Sequence, residues 1–528
     1  MANGLLERAF RRKPVEQIQA ETQHSELKRT LGPLNLVLLG IGCIIGTGIF
    51  VLTGHAAAEW AGPGIMISFV ITGILCALVA LCYAELASAL PVSGSAYSYS
   101  YASTGELFAW IMGVLLLMEY GLAASTVATG WSGYLVSLLH DMHIVIPPEL
   151  TKAPFETYMG ADGVAHPGLV DLPAVIGIIA VSALLIVGVS ESATVNNVIV
   201  FIKVSVVIAF IAIGAFYVHP HLWSPLVPPQ SPPPPPGTPT DLGHQILRAL
   251  VDVATGAKTT QYGLAGVIHG AAVIFFAYIG FEAVSTAGAE SKNPGRDMPI
   301  GILGALVICT ILYIATCAVL VGIVPYKLLD GPAPIATAVD AIGIGWFAVV
   351  VKLGAIAGLS SVMLVLLYGQ TRIFYTMSRD GLLPSQLAAV HPRFRTPWIN
   401  TIIVGLAAAV AAGFMGIDRL SETTNVGTLA AFTIVCGTVI YLRVTHPDMP
   451  RPFRVPFFPV IPILGALMCV FLLMSLWAVK ATRDFFIPYI VIGFALYFVY
   501  GIWNSKLGKG IVPELVPLAP MEATHPGD

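Results

Sequence analysis

Residues Leu34 to Ala57 form one apolar stretch whose middle, Gly40 to Phe50, reads GIGCIIGTGIF. About 20 apolar residues suffice for a helix to cross a bilayer. Glycines 40, 42, 46 and 48 stand where a plain anchor would carry leucines, and each weakens a helix by roughly 1 kcal/mol relative to alanine. Backbone groups freed inside hydrocarbon are tolerated only where protein or a watery cavity satisfies them. A break at Gly46-Thr47-Gly48 therefore predicts amides aimed into such a cavity at the start of a second half-helix. That end is partly positive and suits a carboxylate. The glycines equally suit a close-packing face, since Gly42 and Gly46 are four apart. On this stretch alone both readings stay open.

The chain has 528 residues, 56% hydrophobic and 10% charged, against about 25% charged in soluble domains. That composition predicts an all-α polytopic membrane protein. The net charge of -3 offers no footing for a nucleic acid partner. Arg8, Arg11, Arg12 and Lys13 are followed by polar residues, not by the apolar core of a cleaved signal, so the first span does the targeting. Cys43, Cys76, Cys82, Cys309, Cys317, Cys436 and Cys469 all fall in apolar spans, with neither metal spacing nor a disulfide framework. No cofactor and no metal is expected. Ser-His-Asp, Cys-His and HExxH patterns are absent, as is a phosphate-binding loop ending in GK[ST], which argues against an enzyme or an ATP-driven pump.

Twelve spans are predicted, at about 34–58, 64–90, 103–138, 170–189, 194–218, 264–288, 300–324, 346–377, 398–417, 425–443, 458–479 and 485–503. With the N-terminus inside, 17 Lys and Arg residues fall in the inner segments and 7 in the outer ones, while Lys203 and Lys352 lie within spans. That bias places both termini in the cytoplasm of a cell inner or plasma membrane. The expected divisions are a tail at 1–33, spans one to five at 34–218, an external loop at 219–263, spans six to ten at 264–443, spans eleven and twelve at 444–505, and a tail at 506–528. Pro232 to Pro236 predict a stiff extended run in the external loop. Neither that loop nor 139–169 is large enough for a catalytic domain.

Span six, Ile274 to Glu290, begins strongly apolar and then admits Gly280, Glu282, Ser285 and Thr286. An interruption near Ala277 to Gly280 would leave free carbonyls at the end of the preceding half-helix, which suit an ammonium group or a cation. Spans one and six are five apart, both interrupted, and enter from opposite sides. Interrupted segments in corresponding positions of two inverted halves point to a transporter's midplane site. Amides beside carbonyls match a zwitterion, the head of an α-amino acid.

Five stretches together resemble the amino acid–polyamine–organocation (APC) transporter superfamily, nearest the bacterial members of its cationic amino acid transporter branch. They are GIGCIIGTGIF (40–50), YAELASALPVSGSAYSY (83–99), FFAYIGF (275–281), KNPGRDMP (292–299) and IFYTMSRDGLLP (373–384). The likeness covers nearly all of 30–505. It implies the five-plus-five inverted-repeat (LeuT-type) fold with spans one and six discontinuous and spans eleven and twelve outside the repeat. It also implies alternating access. The substrate carboxylate would meet amides around Gly46, Thr47, Gly48 and Ile49, and the amino group carbonyls near Cys43, Ile44, Phe276, Ala277 and Tyr278. Proton-driven uptake of an L-amino acid is the leading expectation. An exchanger for cationic amino acids or polyamines, and a non-transporting amino-acid sensor, are its rivals. No disulfide-linked heavy chain is expected, because residues 139–169 contain no cysteine.

Lys203 is a lone charge in span five, where estimates of the cost start at about 2.5 kcal/mol. It either snorkels towards the interface or acts as a titratable ammonium held by carbonyls near Gly42 and by a hydroxyl such as Ser360. In similar transporters a lysine at this place takes the position of a coupling sodium ion. Glu119 is the one mid-span carboxylate of the first half; it lines the side-chain end of the pocket or packs span three as a buried carboxyl. Phe281 reads as an aromatic gate or as core. Glu85 and Glu282 read as members of structural or gating ion pairs, Lys352 as a snorkelling lysine, and Tyr97, Tyr99 and Tyr101 as an interfacial belt.

Overall fold

The computed structural model describes residues 7–14, 31–92, 94–160, 162–188, 193–233, 241–255, 261–394, 396–477 and 479–511. Its principal helices are α1 Pro33–Ile44, α2 Ile65–Ala89, α3 Glu106–Asp141, α4 Leu172–Val187, α5 Ala193–Gly214 and α6 Gly263–Ile274. They continue with α7 Pro294–Ile323, α8 Gly345–Arg379, α9 Trp398–Phe414, α10 Ile417–Thr445, α11 Val460–Trp477 and α12 Lys480–Leu496. Nine helical stretches among the described residues are long and apolar enough to cross a membrane, and α1, α4 and α9 are shorter apolar helices. The chain is a multi-pass membrane protein. Each of the intervals expected from the sequence contains a helix.

Helix ends follow local chemistry. Pro33 and Pro294 stand in the first turns of α1 and α7, where a missing N–H costs nothing. Asp171 accepts the Ala174 N–H at 3.1 Å and caps α4. Helix α3 runs 36 residues, about 54 Å at the helical rise, and begins at Glu106 after a separate helix, Ser95–Ser103. Tyr97, Tyr99 and Tyr101 lie on that short helix and are buried. They form no interfacial belt: Tyr97 Oη donates to Asp380 at 2.8 Å and Tyr101 Oη to Glu106 at 3.1 Å.

Helix α3 packs on α8 and α10, α2 on α7, and α4 on α9. The 263–290 stretch is the most enclosed, with 83% of its most apolar window buried, against 33% for α11 and 22% for the stretch beginning at Lys480. The exterior is apolar as well, with Phe201 72% and Val499 77% exposed, as expected of surfaces that face lipid. The segments that join α3 to α4 and α5 to α6 are not wholly irregular or extended. Strands β1 Thr157–Met159 and β2 Ala165–Pro167 pair antiparallel, and Leu242–Thr255 is an amphipathic helix. Pro234 to Pro236 of the expected proline run, and residues 15–30 and 512–528 of the two tails, lie outside the described residues.

Two of the buried charges, Lys352 and Glu85, are paired with opposite charges. Lys352 does not snorkel: it is 1% exposed and its Nζ meets Asp141 at 2.6 Å and Asp340 at 3.9 Å. Those carboxylates lie within its reach, so the ammonium need not extend to water. Glu85 fulfils the ion-pair expectation. Arg443 donates to its two oxygens at 2.9 and 2.5 Å, the Val455 N–H donates at 2.7 Å, and Arg451 lies at 3.4 Å. Removing one partner of a buried pair strands the other charge, at a cost on the order of 3 kcal/mol. Arg443→Ala is expected to lower the melting temperature of the purified protein clearly more than Arg443→Lys, which keeps a charge but loses the two-pronged contact. Equal losses, followed by thermal unfolding in detergent, would discard this account of Glu85.

Candidate binding site between two broken helices

Helix α1 stops at Ile44. Ile45 is extended, at φ −72° and ψ 95°, and helical geometry resumes at Thr47. The first backbone bond of the new half-helix is Phe50 N–H to Gly46 O at 3.3 Å. The amides of Thr47, Gly48 and Ile49 therefore stand at a helix start that offers them no intrahelical acceptor. The break falls at Ile45 and Gly46, just ahead of the expected place. Thr47 is fully buried, and its Oγ1 has no hydrogen-bond partner among the described residues. The Gly48–Leu52 turn is π-helical, a geometry that recurs at functional sites.

Helix α6 tightens into a 3₁₀ turn, Phe275–Tyr278, before Ile279 turns extended at φ −58° and ψ 133°. Gly280 follows at φ 116°, and 3₁₀ helix resumes over Glu282–Glu290. Only glycine adopts that φ without strain. A Cβ on Gly280 would also come within 2.9 Å of Cys43. The interruption lies in the expected interval.

The two breaks face each other. A Cβ on Gly48 would overlap the backbone of Ala277. Helix α1 packs beside Glu282–Glu290, and the 57–61 turn packs beside α6. Gly48 thus approaches Ala277 and Cys43 approaches Gly280, and the Gly48–Leu52 turn, which includes Ile49, packs on the Phe275–Tyr278 turn; Gly46 has Val362 as its neighbour instead. The close-packing reading of the glycines also has substance, but at other positions. Gly40 packs against Val284 and Ala305, whereas Gly46 has ordinary room, 3.5 Å from Val362.

Several carbonyls at the two broken ends find donors within the chain. Lys203 is fully buried, and its Nζ donates to Gly42 O at 2.6 Å and to Ile45 O at 3.3 Å. It does not snorkel. Ser360, expected beside it, donates to Ile356 O at 2.8 Å and accepts from Trp131 Nε1 at 2.9 Å. The α8 residue against the lysine stem is Gly358, where a side chain would collide with the lysine Cγ and Cδ. Three donors escaped the sequence reading. Tyr313 donates to Ile44 O at 2.7 Å, Asn425 to Ala272 O and Val273 O at 2.8 and 3.0 Å, and Thr72 to Ala271 O at 2.9 Å. Tyr313 stood out only as a polar group in a largely apolar span, and Asn425 was one of several polar residues in the run SETTN (421–425).

The remaining candidates divide. Tyr278 turns its hydroxyl to Phe69 O at 3.0 Å, away from the break. Phe281 packs in an aromatic cluster, 5.9 Å from Tyr83 and 5.3 Å from Phe432 between ring centroids. Glu119 is fully buried and within hydrogen-bonding reach of Glu282. Glu282 is thus not an ion-pair member of the Glu85 kind: its Oε2 accepts the Gly280 N–H at 2.8 Å and its neighbour is a carboxyl. A cavity of about 260 Å³ lies elsewhere, lined by Leu117, Phe374, Ile403 and Tyr489 among others. Its lining is almost wholly apolar and does not suit a charged head.

Comparison with known proteins agrees with this architecture. The amino acid permease family profile matches residues 31–497. A methylthioribose transporter of Bacillus subtilis is 44% identical over 95% of this chain and 99% of its own length. A branched-chain amino acid permease of the same organism is 42% identical over 95% of this chain and 99% of its own. A vacuolar cationic amino acid transporter of Arabidopsis thaliana is 37% identical over 83% of this chain and 67% of its own. These relatives are permeases and transporters, not enzymes. A membrane protein with two facing broken helices, matched over most of its length by such relatives, belongs to the amino acid permease family of the APC superfamily.

Proposed function

We propose that this protein is a secondary transporter that carries an L-amino acid inward by alternating access, with the substrate head at the two breaks and a proton coupled through Lys203. The observation that carries this reading is the juxtaposition of the amide-bearing start at Thr47 to Ile49 with the carbonyl-bearing end of α6. A carboxylate suits the first and an ammonium the second. The buried Thr47 hydroxyl, which has no partner among the described residues, supports the assignment, because such a group is costly unless something bonds it.

Twelve crossings, ten of them in two inverted halves of five with α11 and α12 outside the repeat, are part of the proposal. The packing of α2 on α7, α3 on α8 and α4 on α9 supports it, since each pair stands five apart in order. The Lys and Arg bias supports cytoplasmic termini. In the transport cycle the 48–61 half-helix closes over the bound substrate and α1 then swings to release it. Charged, Lys203 ties α1 to α5 through two carbonyls. Neutral, it holds them less tightly, so its proton biases which side is open. The permease named for branched-chain amino acids favours a neutral side chain, and the cationic transporters favour a charged one.

A bound ligand raises apparent stability, by about 2.7 kcal/mol at 100 times its Kd. One or more L-amino acids are expected to raise the melting temperature of the purified protein, while the decarboxylated and deaminated analogues leave it unchanged. Analogues that work as well as the amino acid would remove the two-break site. Gly48→Ala is expected to lose that shift, because its Cβ overlaps the Ala277 backbone and forces the two breaks apart. In proteoliposomes, Lys203→Ala is expected to abolish uptake driven by an inward proton gradient and to spare counterflow. Unaltered gradient-driven uptake would remove Lys203 from coupling, and wild-type uptake that needs internal amino acid would favour exchange.

A further inference from the structure

Glu119 on α3 and Glu282 just beyond the second break form a site that neither the substrate head nor Lys203 uses. They are 0% and 1% exposed. Their carboxyls lie within hydrogen-bonding reach of each other. Neither oxygen of Glu119 finds a donor among the described residues, and Glu282 Oε1 finds none either. Glu282 Oε2 is fixed by the Gly280 N–H at 2.8 Å. Ionised carboxylates only accept hydrogen bonds, and two like charges side by side in an apolar interior cannot both be kept. One proton resolves the arrangement, because a carboxylic O–H on either residue donates to the other.

The surroundings point the same way. Tyr83 on α2 is fully buried, its hydroxyl has no partner among the described residues, and its ring meets Phe281 edge-on, 5.9 Å between centroids. It lies within electrostatic reach of both carboxyls. Among the described residues, Tyr120 lies within electrostatic reach of both carboxyls and Cys76 within reach of Glu282. Gly280 lies against Cys43 at the end of α1, so the pair adjoins the place where both helices break.

We propose that Glu119 and Glu282 share a single proton and that the cationic side chain of a lysine-like substrate takes that proton's place. The proposal rests on the reading that the substrate head lies at the breaks. Charge balances in both cases. With a neutral amino acid the pair keeps its proton and one negative charge. With a cationic one the proton leaves, and two carboxylates face one ammonium. The same pocket then admits neutral and cationic side chains at equal net charge.

Infrared difference spectroscopy on the purified full-length protein in detergent tests this. The C=O stretch of a protonated carboxyl is expected in the wild type and is expected to be lost in Glu119→Gln and in Glu282→Gln alike. Saturating leucine is expected to leave the wild-type band and saturating lysine to remove it. Persistence of the band in either variant, or in the presence of lysine, overturns the proposal. If a variant does not fold, proton release on mixing wild type with lysine in weak buffer decides. Release with lysine and none with leucine supports the shared proton, and equal release with both overturns it. Failure of the underlying reading has a different signature: neither amino acid then raises the wild-type melting temperature.

Discussion

A helix that stops inside an apolar slab leaves peptide groups that only the chain, or something the chain binds, can satisfy. This protein stops two helices at one place. Lys203 and Tyr313 serve the carbonyls at the end of α1, and Asn425 and Thr72 serve those at the end of α6. These donors come from α5, α7, α10 and α2, so much of the bundle is recruited to hold the breaks open. The amides of Thr47 to Ile49 remain at a helix start beside Ala277, and there the chain supplies no comparable acceptor among the described residues.

Charge follows the same division. Where its role is structural, a buried charge meets an opposite one: the Glu85 carboxylate has Arg443 and Arg451, and the Lys352 ammonium has Asp141. Beside the breaks the rule changes. Glu119 faces Glu282, and the backbone amide of Gly280 is the donor that fixes the pair. Such an arrangement is stable only with a proton or a guest cation, which is why it reads as a site and not as scaffolding.

The breaks were legible because glycine is weak in a helix and apolar spans are otherwise monotonous. Gly46, Gly48 and Gly280 stood out for that reason, and the geometry interrupts α1 and α6 within a residue or two of the expected places. Lys203 was legible for the complementary reason, a single charge where none is cheap. Its partner on α8 was not. Successive helical residues turn by about 100°, so the short step from Ser360 to Gly358 decides which of them faces α5. The same small rotations turned Tyr278 towards Phe69 and gave Lys352 a partner in place of water.

Composition, the charge bias and the placement of glycines determined by themselves that this chain crosses a membrane many times and that two of its spans are interrupted. Those are one-dimensional properties, set by the cost of polar groups in hydrocarbon. Which side chains meet at the interruptions was decided only by tertiary structure. Tyr313, Asn425 and the Glu119–Glu282 pair are separated from their partners by 150 or more residues of sequence. Helix rotation and crossing bring them together, and no local pattern along the chain encodes either one.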